Sequence, residues 1–284
     1  MQKILVTGAT GFVGGYVIRE LLTRGLSVVA SSSGRSKAEV KPWFSNVDYR
    51  VFDFQSFDDT VNYFEYFGRP DRMIHLAWEG LPDYKSEKHL AEYFPRHLAF
   101  LENMARHGLK NLTVTGTCLE YGMNEGCLKE DMVCDPHLPY PAAKHLLRLG
   151  LEKLSRPDGI SLKWIRLFYM YGKGQHPKSL FSQLEQAIHD QVPVFNMSPG
   201  EQERDFLPVE KVAEYIVTIA LQDMVSGVIN CCSGKPVRVR EWVANFIRAK
   251  QSSMQLNTGF YPYPDYEPMS FWGDTNKLKS IIAL

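Results

Sequence analysis

The sequence predicts an α/β fold: a doubly wound parallel sheet with helices on both faces, followed by a smaller C-terminal lobe. Three observations carry that expectation. Short apolar runs alternate with amphipathic stretches through the first half of the chain. A glycine-rich turn joins the first apolar run to the first amphipathic stretch. After Leu167 the rhythm changes, and Pro177, Pro193, Pro199, Pro208, Pro236, Pro262, Pro264 and Pro268 punctuate shorter elements. Strands alternating with helices require right-handed crossovers, which cover both faces of a parallel sheet.

Ile4-Leu5-Val6 reads as a buried strand, and a helix follows from about Gly11 to Arg24 with Val13, Val17, Leu21 and Leu22 on one face. Gly25 ends that helix, and Val28-Val29-Ala30 is the second strand. Tyr49-Arg50-Val51-Phe52, Met73-Ile74-His75-Leu76, Leu112-Thr113-Val114-Thr115 and Leu162-Lys163-Trp164-Ile165 continue the series. Helical stretches from Leu90 to His107 and from Ala142 to Leu154 lie between the later strands. Near the C-terminus, Trp272-Gly273-Asp274-Thr275 reads as a turn and N-cap for a final helix. No repeat or linker divides the chain, so one compact unit is expected.

The 284 residues are 44% hydrophobic, 12% aromatic and 23% charged, ordinary values for a globular protein with a large core. Lys plus Arg and Asp plus Glu both number 32, so the chain lacks the overall field that draws in nucleic acid or an anionic membrane. The N-terminus runs straight into a strand, so no signal peptide is expected, and no apolar run approaches 18 residues, so no transmembrane helix is expected. Cys118, Cys127, Cys134, Cys231 and Cys232 form no C-x-x-C pair, which suits reduced thiols and no metal site in a cytoplasmic protein. Vicinal Cys231-Cys232 beside Val228 and Ile229 is read as strand filler rather than a redox pair.

Thr7-Gly8-Ala9-Thr10-Gly11-Phe12-Val13-Gly14 lies directly between the first strand and the first helix. Gly8 suits a tight turn, Gly11 lets the backbone approach a pyrophosphate, and Gly14 permits close helix–strand packing, with the phosphates at the helix N-terminus. This is the fingerprint of a Rossmann-type dinucleotide site. Residues 1–170 are accordingly expected to bind the dinucleotide and 171–284 mainly the substrate, with part of about 207–232 returning to the first domain. The second strand ends in Ala30-Ser31-Ser32-Ser33-Gly34-Arg35, with no acid for a ribose 2′-hydroxyl. Ser32, Ser33 and Arg35 suit a 2′-phosphate, which favours NADP(H) over NAD(H); the alternative for Arg35 is a solvated loop charge.

Tyr140-Pro141-Ala142-Ala143-Lys144 places a phenol and an ammonium on one helical face. Lys144 can then lower the Tyr140 pKa and bind a nicotinamide ribose, making Tyr140 an acid/base. Thr115-Gly116-Thr117-Cys118 ends the fifth strand on the same sheet edge as the glycine turn, where a hydroxyl could hold a substrate oxygen.

With these residues in place, the whole chain resembles the extended short-chain dehydrogenases/reductases that act on nucleotide sugars. Carrying the resemblance are Thr7-Gly8-x-x-Gly11-x-x-Gly14, Asp53, His75-Leu76-Ala77, Thr117 before Tyr121-Gly122, Tyr140-x-x-x-Lys144, Arg166-Leu167-Phe168-Tyr169-Met170-Tyr171-Gly172 and Arg204-Asp205-Phe206. The resemblance implies a catalytic triad of Thr117, Tyr140 and Lys144. It puts Asp53 at the adenine amino group with Phe54 beside it, Leu76 and Ala77 along the cofactor, and Arg204 at the diphosphate of the sugar nucleotide. For Arg204 the alternative is an ion pair with Asp205 or Glu203.

Departures from the family narrow the reaction. The dehydratases follow the catalytic Thr with Asp-Glu, where this chain has Cys118-Leu119, so water elimination is not expected. The 3,5-epimerising reductases need a Cys at the position of Leu119, and His176 also falls off their pattern. Tyr169 replaces a common Asn, and Trp78 a small residue; both add aromatic bulk by the sugar pocket, with core filling as the alternative for Trp78. What remains is NADPH-dependent reduction of the 4-keto group of a nucleotide-activated 4-keto-6-deoxyhexose. An NAD(P)-dependent 4-epimerase is the alternative, and a non-catalytic dinucleotide-binding protein a remote one. The resemblance also suggests a homodimer through the helices carrying Leu98, Leu101 and Met104 and Leu146, Leu147 and Leu151.

Overall fold

The computed structural model describes residues 2–282, with backbone alone at 155–158. In chain order the strands are β1 (Lys3–Thr7), β2 (Ser27–Ser32), β3 (Asp48–Val51), β4 (Arg72–His75), β5 (Asn111–Thr117), β6 (Gly126–Leu128), β7 (Ser161–Leu167), β8 (Tyr169–Tyr171), β9 (Val194–Met197), β10 (Glu203–Pro208), β11 (Gly227–Cys231), β12 (Pro236–Arg238), β13 (Gln255–Thr258) and β14 (Phe271–Gly273). The helices are α1 (Phe12–Thr23), α2 (Ser36–Glu39), α3 (Tyr63–Tyr66), α4 (Phe94–Arg106), α5 (Pro139–Asp158), α6 (Leu180–His189), α7 (Val209–Leu221), α8 (Val239–Ala249) and α9 (Asn276–Ile282).

Seven strands form one parallel sheet in the order β3-β2-β1-β4-β5-β7-β11. Strand side chains alternate between faces, and each face has its own core. Ile4 and Val6 of β1 join Val28, Ile74, Ile165 and Ile229 under Val17, Ile18 and Leu21 of α1 and Ile216 and Ile219 of α7. Leu5 joins Val29, Met73, Val114 and Trp164 on the other face, under Phe100, Leu101 and Met104 of α4 and Leu147 and Leu151 of α5. Strand order reverses at β1 and β4, and the crevice at that switch point is where such sheets take ligands.

Of the apolar positions offered for a dimer, Leu101, Met104, Leu147 and Leu151 face the sheet. Leu98 fills the α4–α5 seam against Gly150, and Leu146 stands exposed. The helix read from Leu90 to His107 is a π turn over His89–Tyr93 continued by α4. Pro95 in the first turn of α4 has no N–H to give the preceding turn, so the regular ladder starts afresh there.

Beyond β7 the chain splits its elements. α7 and β11 return to the large sheet, whereas β8, β10 and β12 form a small sheet of their own and β13 pairs with β9. Leu184, Phe195, Met197, Val239, Val243 and Ile247 make the separate core of this lobe. Trp272-Gly273 is strand rather than turn, pairing with Cys127-Leu128, while Asp274 accepts the Asn276 amide at 2.8 Å and caps α9. Cys231 and Cys232 are buried and unbonded to each other. Among the described residues, no helix is long and apolar enough to cross a membrane.

Candidate active site

Gly8, Ser32, Asp53, Trp78 and Thr117 all end or follow the strands at one edge of the sheet. Gly8 has φ +72°, and a Cβ on it would lie 2.7 Å from the Ala77 amide nitrogen. A Cβ on Gly14 would lie 2.2 Å from the Gly8 carbonyl oxygen. Glycine at both positions thus lets the β1–α1 turn nest between α1 and the strand-β4 exit. Gly11 is the N-cap of α1 and offers no side chain to its first-turn amides, and no acidic residue lies in that turn. Thr10 and Phe12 flank the opening, and Val13 turns into the core. An uncapped helix N-terminus in a cradle shaped by two glycines fits the phosphates of a dinucleotide.

The end of β2 is less open than the sequence implies. The Ser32 hydroxyl lies 2.6 Å from the Tyr49 hydroxyl, which in turn donates to the Gly34 carbonyl at 2.7 Å. Arg35 is exposed and paired with Glu39 at 2.9 Å, while Ser33 is exposed. Arg35 is therefore not the lone cation expected for a 2′-phosphate. Asp53 is half-buried and accepts the Gln55 amide at 2.9 Å; Phe54 is buried and stacks on His97 at 4.1 Å. Leu76 and Ala77 are half-buried at the exit of β4, with Ala77 against Gly8.

Thr117 and Tyr140 are brought together, both buried. The Tyr140 amide donates to the Tyr84 carbonyl at 3.2 Å, and the two phenol rings stack at 5.4 Å. Burial pushes the Tyr140 phenol well above its ordinary pKa, with Tyr84, Glu120 and Cys118 adding to the rise and hydrogen bonding with Thr117 opposing it. That corrects the expectation that Lys144 would lower it. The Lys144 ammonium is instead turned to the Thr115 carbonyl, 2.9 Å away, and to the Trp78 ring, whose centroid is 4.2 Å away.

Burial also pulls Lys144 down to about 7, against the favourable charges of Glu120 and Glu79. Its ordinary value is 10.5, so between these values the unfolded chain holds a proton that the folded chain has released. Stability should therefore rise with pH across that window. Urea unfolding at both ends of it should show a smaller rise in Lys144→Met than in the parent; an equal rise would contradict this titration.

Glu120 was not among the expected residues, although Thr117-x-x-Glu120 has the spacing of a capping box. It is fully buried, and its carboxylate accepts from the Thr117 amide at 2.9 Å, the Trp164 indole at 3.0 Å and the Arg166 Nε at 3.0 Å. Glu120, Cys134 and His145 bring ligand-type atoms within 4.8 Å of one another. The cation that Glu120 and Cys134 face is the Arg166 guanidinium, whose Nη2 lies 2.7 Å from the Cys134 sulfur.

On the substrate side, Cys118 is buried, and burial raises its thiol far from ionisation. Arg204 is not placed as a free phosphate-binding cation, nor paired with Asp205 or Glu203. It is buried against the Phe271 ring, pairs with Glu267 at 2.9 Å and donates to the Glu203 carbonyl at 2.8 Å. Asp205 instead accepts the Ser233 and Gly234 amides at 2.7 and 2.8 Å. The Tyr169 hydroxyl is buried, and burial together with the Glu267 carboxylate raises its pKa. Tyr84 and Tyr266 meet in front of Tyr140, their rings 6.5 Å apart, and Lys85 lies 3.7 Å from Asp265. A cavity of about 390 Å³ opens beside them, lined by Lys85, Met123, His137, Leu138, Asp265 and Tyr266. His176 lies outside this cluster and accepts the Lys178 amide.

This arrangement can be set beside known proteins. A family model described as "NAD dependent epimerase/dehydratase family" matches residues 4–232. The dTDP-6-deoxy-L-talose 4-dehydrogenase (NAD(+)) of Aggregatibacter actinomycetemcomitans is 29% identical, covering 96% of this chain and 99% of its own length. The UDP-glucuronate 4-epimerase of Thermodesulfobacterium geofontis is 24% identical, over 99% of this chain and 90% of its own. Among solved structures, the UDP-N-acetylglucosamine 4-epimerase of Methanobrevibacter ruminantium superposes with a TM-score of 0.84 at 23% identity, covering 99% of this chain and 91% of its own. MoeE5, in complex with UDP-glucuronic acid and NAD, gives 0.82 at 24% identity over 99% and 93%. These structures share the fold, and the family match spans the cradle, the Thr117–Tyr140–Lys144 cluster and the return through β11. The chain belongs to the NAD dependent epimerase/dehydratase family.

Proposed function

We propose that this protein reduces the 4-keto group of a nucleotide-activated 4-keto-6-deoxyhexose, in nucleotide-sugar biosynthesis. The observation that carries this reading is the pairing of Thr117 with Tyr140 beside the dinucleotide cradle, with Cys118 and Leu119 rather than carboxylates directly after the threonine. Glu120 is bound to Arg166, and Glu267 is bound to Arg204. Elimination of water would need a carboxylate able to take and return a proton; carbonyl reduction needs only a hydride and one proton.

The backbone of the Gly8–Gly14 turn and the N-terminus of α1 would hold the dinucleotide phosphates, with Asp53 and Phe54 towards the adenine and Leu76 and Ala77 along the chain of the cofactor. When bound, the nicotinamide supplies the hydride. Tyr140 gives its proton to the C4 oxygen as negative charge develops there, and Thr117 holds that oxygen. The Lys144 ammonium, turned from the Thr115 carbonyl, would stabilise the phenolate left behind and hold the ribose hydroxyls of a bound dinucleotide.

The reductant on this reading is NADH. Arg35 is engaged by Glu39 and Ser32 by Tyr49, and the talose dehydrogenase relative is named for NAD(+). NADPH is the second reading, favoured by the missing acid at the end of β2. Steady-state kinetics with both should give a higher kcat/KM for NADH. Glu39→Gln, which releases Arg35 from an exposed ion pair, should raise kcat/KM for NADPH by about twofold; no change would remove Arg35 from the cofactor site.

The activity itself is tested by adding 4-keto sugar nucleotides to protein and reduced nicotinamide. Repeated turnover, read as falling nicotinamide absorbance, is expected; none with any such sugar overturns the reading. A 4-epimerase is the other reading that the family favours, and it would interconvert 4-hydroxy sugars with nicotinamide that stays bound through purification.

A further inference from the structure

Lys144 is a buried cation with few partners. Its hydrogen-bond acceptor is the Thr115 carbonyl, and among the described residues no carboxylate stands within ion-pair distance of it. The Trp78 indole lies beside it, its ring centroid 4.2 Å from the ammonium nitrogen.

A hydrogen-bonded chain and a ring stack hold that indole. Trp78 Nε1–H donates to His89 Nδ1 at 3.1 Å. The other nitrogen of His89 lies 2.7 Å from the Asp83 carbonyl, which can only accept. His89 is therefore the neutral Nε2–H form, and its Nδ1 lone pair is reserved for Trp78. The indole also stacks on His97 at 4.7 Å and 22°. His97 is fixed in turn by Glu79 at 2.7 Å and by His75 at 2.8 Å, and His75 by the Thr7 hydroxyl at 2.8 Å. With Glu79 ionised, each member donates towards it, and both buried imidazoles stay neutral; burial, together with the Lys144 charge, lowers the pKa of each.

We propose that Trp78 is a positioning residue for the catalytic lysine, its π face supplying the attraction that keeps the Lys144 ammonium charged where the site provides no carboxylate partner. An aromatic face is worth most to a cation that has lost its water, and tryptophan offers the strongest of them. The other charged and titratable groups around Lys144 are Glu120 after β5, Glu79 after β4, His75 and His97 between the sheet and α4, and Tyr140 on its own helix, and neither carboxylate is within ion-pair distance of it. The inference explains why a large ring stands where the resembling family carries a small residue, without requiring it to touch the sugar. Its kinetic arm rests on the reading of Lys144 as catalytic; its titration arm does not.

The test is the titration of Lys144 in the ligand-free protein, read from the ¹³Cε resonance of labelled lysine and assigned by its loss in Lys144→Arg. Trp78→Met, which fills the space without a π face, should lower the midpoint by about one pH unit. Trp78→Phe should lower it by less. An unchanged or raised midpoint in Trp78→Met overturns the proposal. If Trp78→Met does not fold, fluorinated tryptophan at all five tryptophans keeps the shape and weakens the π face. The midpoint should then fall, and an unchanged one overturns the proposal equally. In the holoenzyme the alkaline limb of kcat/KM should move with the titration. A shifted titration in a protein that turns over no sugar nucleotide would leave this inference standing and remove the proposed reaction.

Discussion

Tyr140→Phe should lower kcat by about three orders of magnitude while leaving the fold and dinucleotide binding intact. The phenol ring is buried against Tyr84, with Trp78 and His89 at its edges, and a phenylalanine keeps all of those contacts. What disappears is one hydroxyl, and with it the proton that neutralises the developing alkoxide. Positioned acid catalysis of this kind is worth roughly 10²–10⁴-fold. Thr117 can still hydrogen-bond the substrate oxygen but is itself engaged with the Leu119 amide at 3.3 Å and has no base behind it. The check is kcat at saturating substrate together with a thermal melt and a dinucleotide titration. A loss below tenfold with an unchanged melt would remove Tyr140 from the chemistry.

The largest expected effect on stability is at Glu120. Its carboxylate has no exposure and binds the Thr117 amide, the Trp164 indole and the Arg166 guanidinium, itself 1% exposed. Glu120→Leu would strand Arg166 as a buried charge, a loss of about 3–5 kcal/mol, and leave two N–H donors unpaired at about 1–3 kcal/mol each. Against a total of about 5–15 kcal/mol, the variant should be unfolded or close to it at ambient temperature. Glu120→Gln keeps an acceptor for Thr117 and Trp164 and should lose less. The double variant Glu120→Leu, Arg166→Met removes both charges and should regain much of the loss. Urea midpoints for the three decide it; a double variant no better than Glu120→Leu would show that the charge pair is not the source of the penalty.

The parts of the molecule legible in the sequence are those governed by local periodicity and backbone sterics. Ile4 and Val6 face one layer and Leu5 the other because strand side chains alternate, so the short apolar runs located every strand of the large sheet up to β7. Gly8 and Gly14 announced the cradle because no other residue fits those backbone approaches. Tyr140 and Lys144 announced themselves by helical spacing, and Thr117 by ending a strand at the right edge. The direction in which Lys144 points was not legible, since it depends on the Thr115 carbonyl from β5 and on Trp78 from the exit of β4. Nor was the partner of Arg204: Glu267 lies 63 residues away on a proline-flanked segment with no periodic pattern to place it. The partner of Arg35 was legible, since Glu39 lies one helical turn on at the i,i+4 spacing of a helical ion pair.

Proton delivery by Tyr140 to the oxygen at C4 of a nucleotide sugar is the central step of the proposed reaction. The most direct measurement is the fate of deuterium carried on reduced nicotinamide, followed by NMR of the sugar product from a nucleotide-activated 4-keto-6-deoxyhexose. Deuterium is expected at C4, on one face, one atom for each nicotinamide oxidised, with no such product from Tyr140→Phe on the same timescale. Product without deuterium at C4, or interconversion of 4-hydroxy sugars with no consumption of nicotinamide, would contradict the proposed reaction.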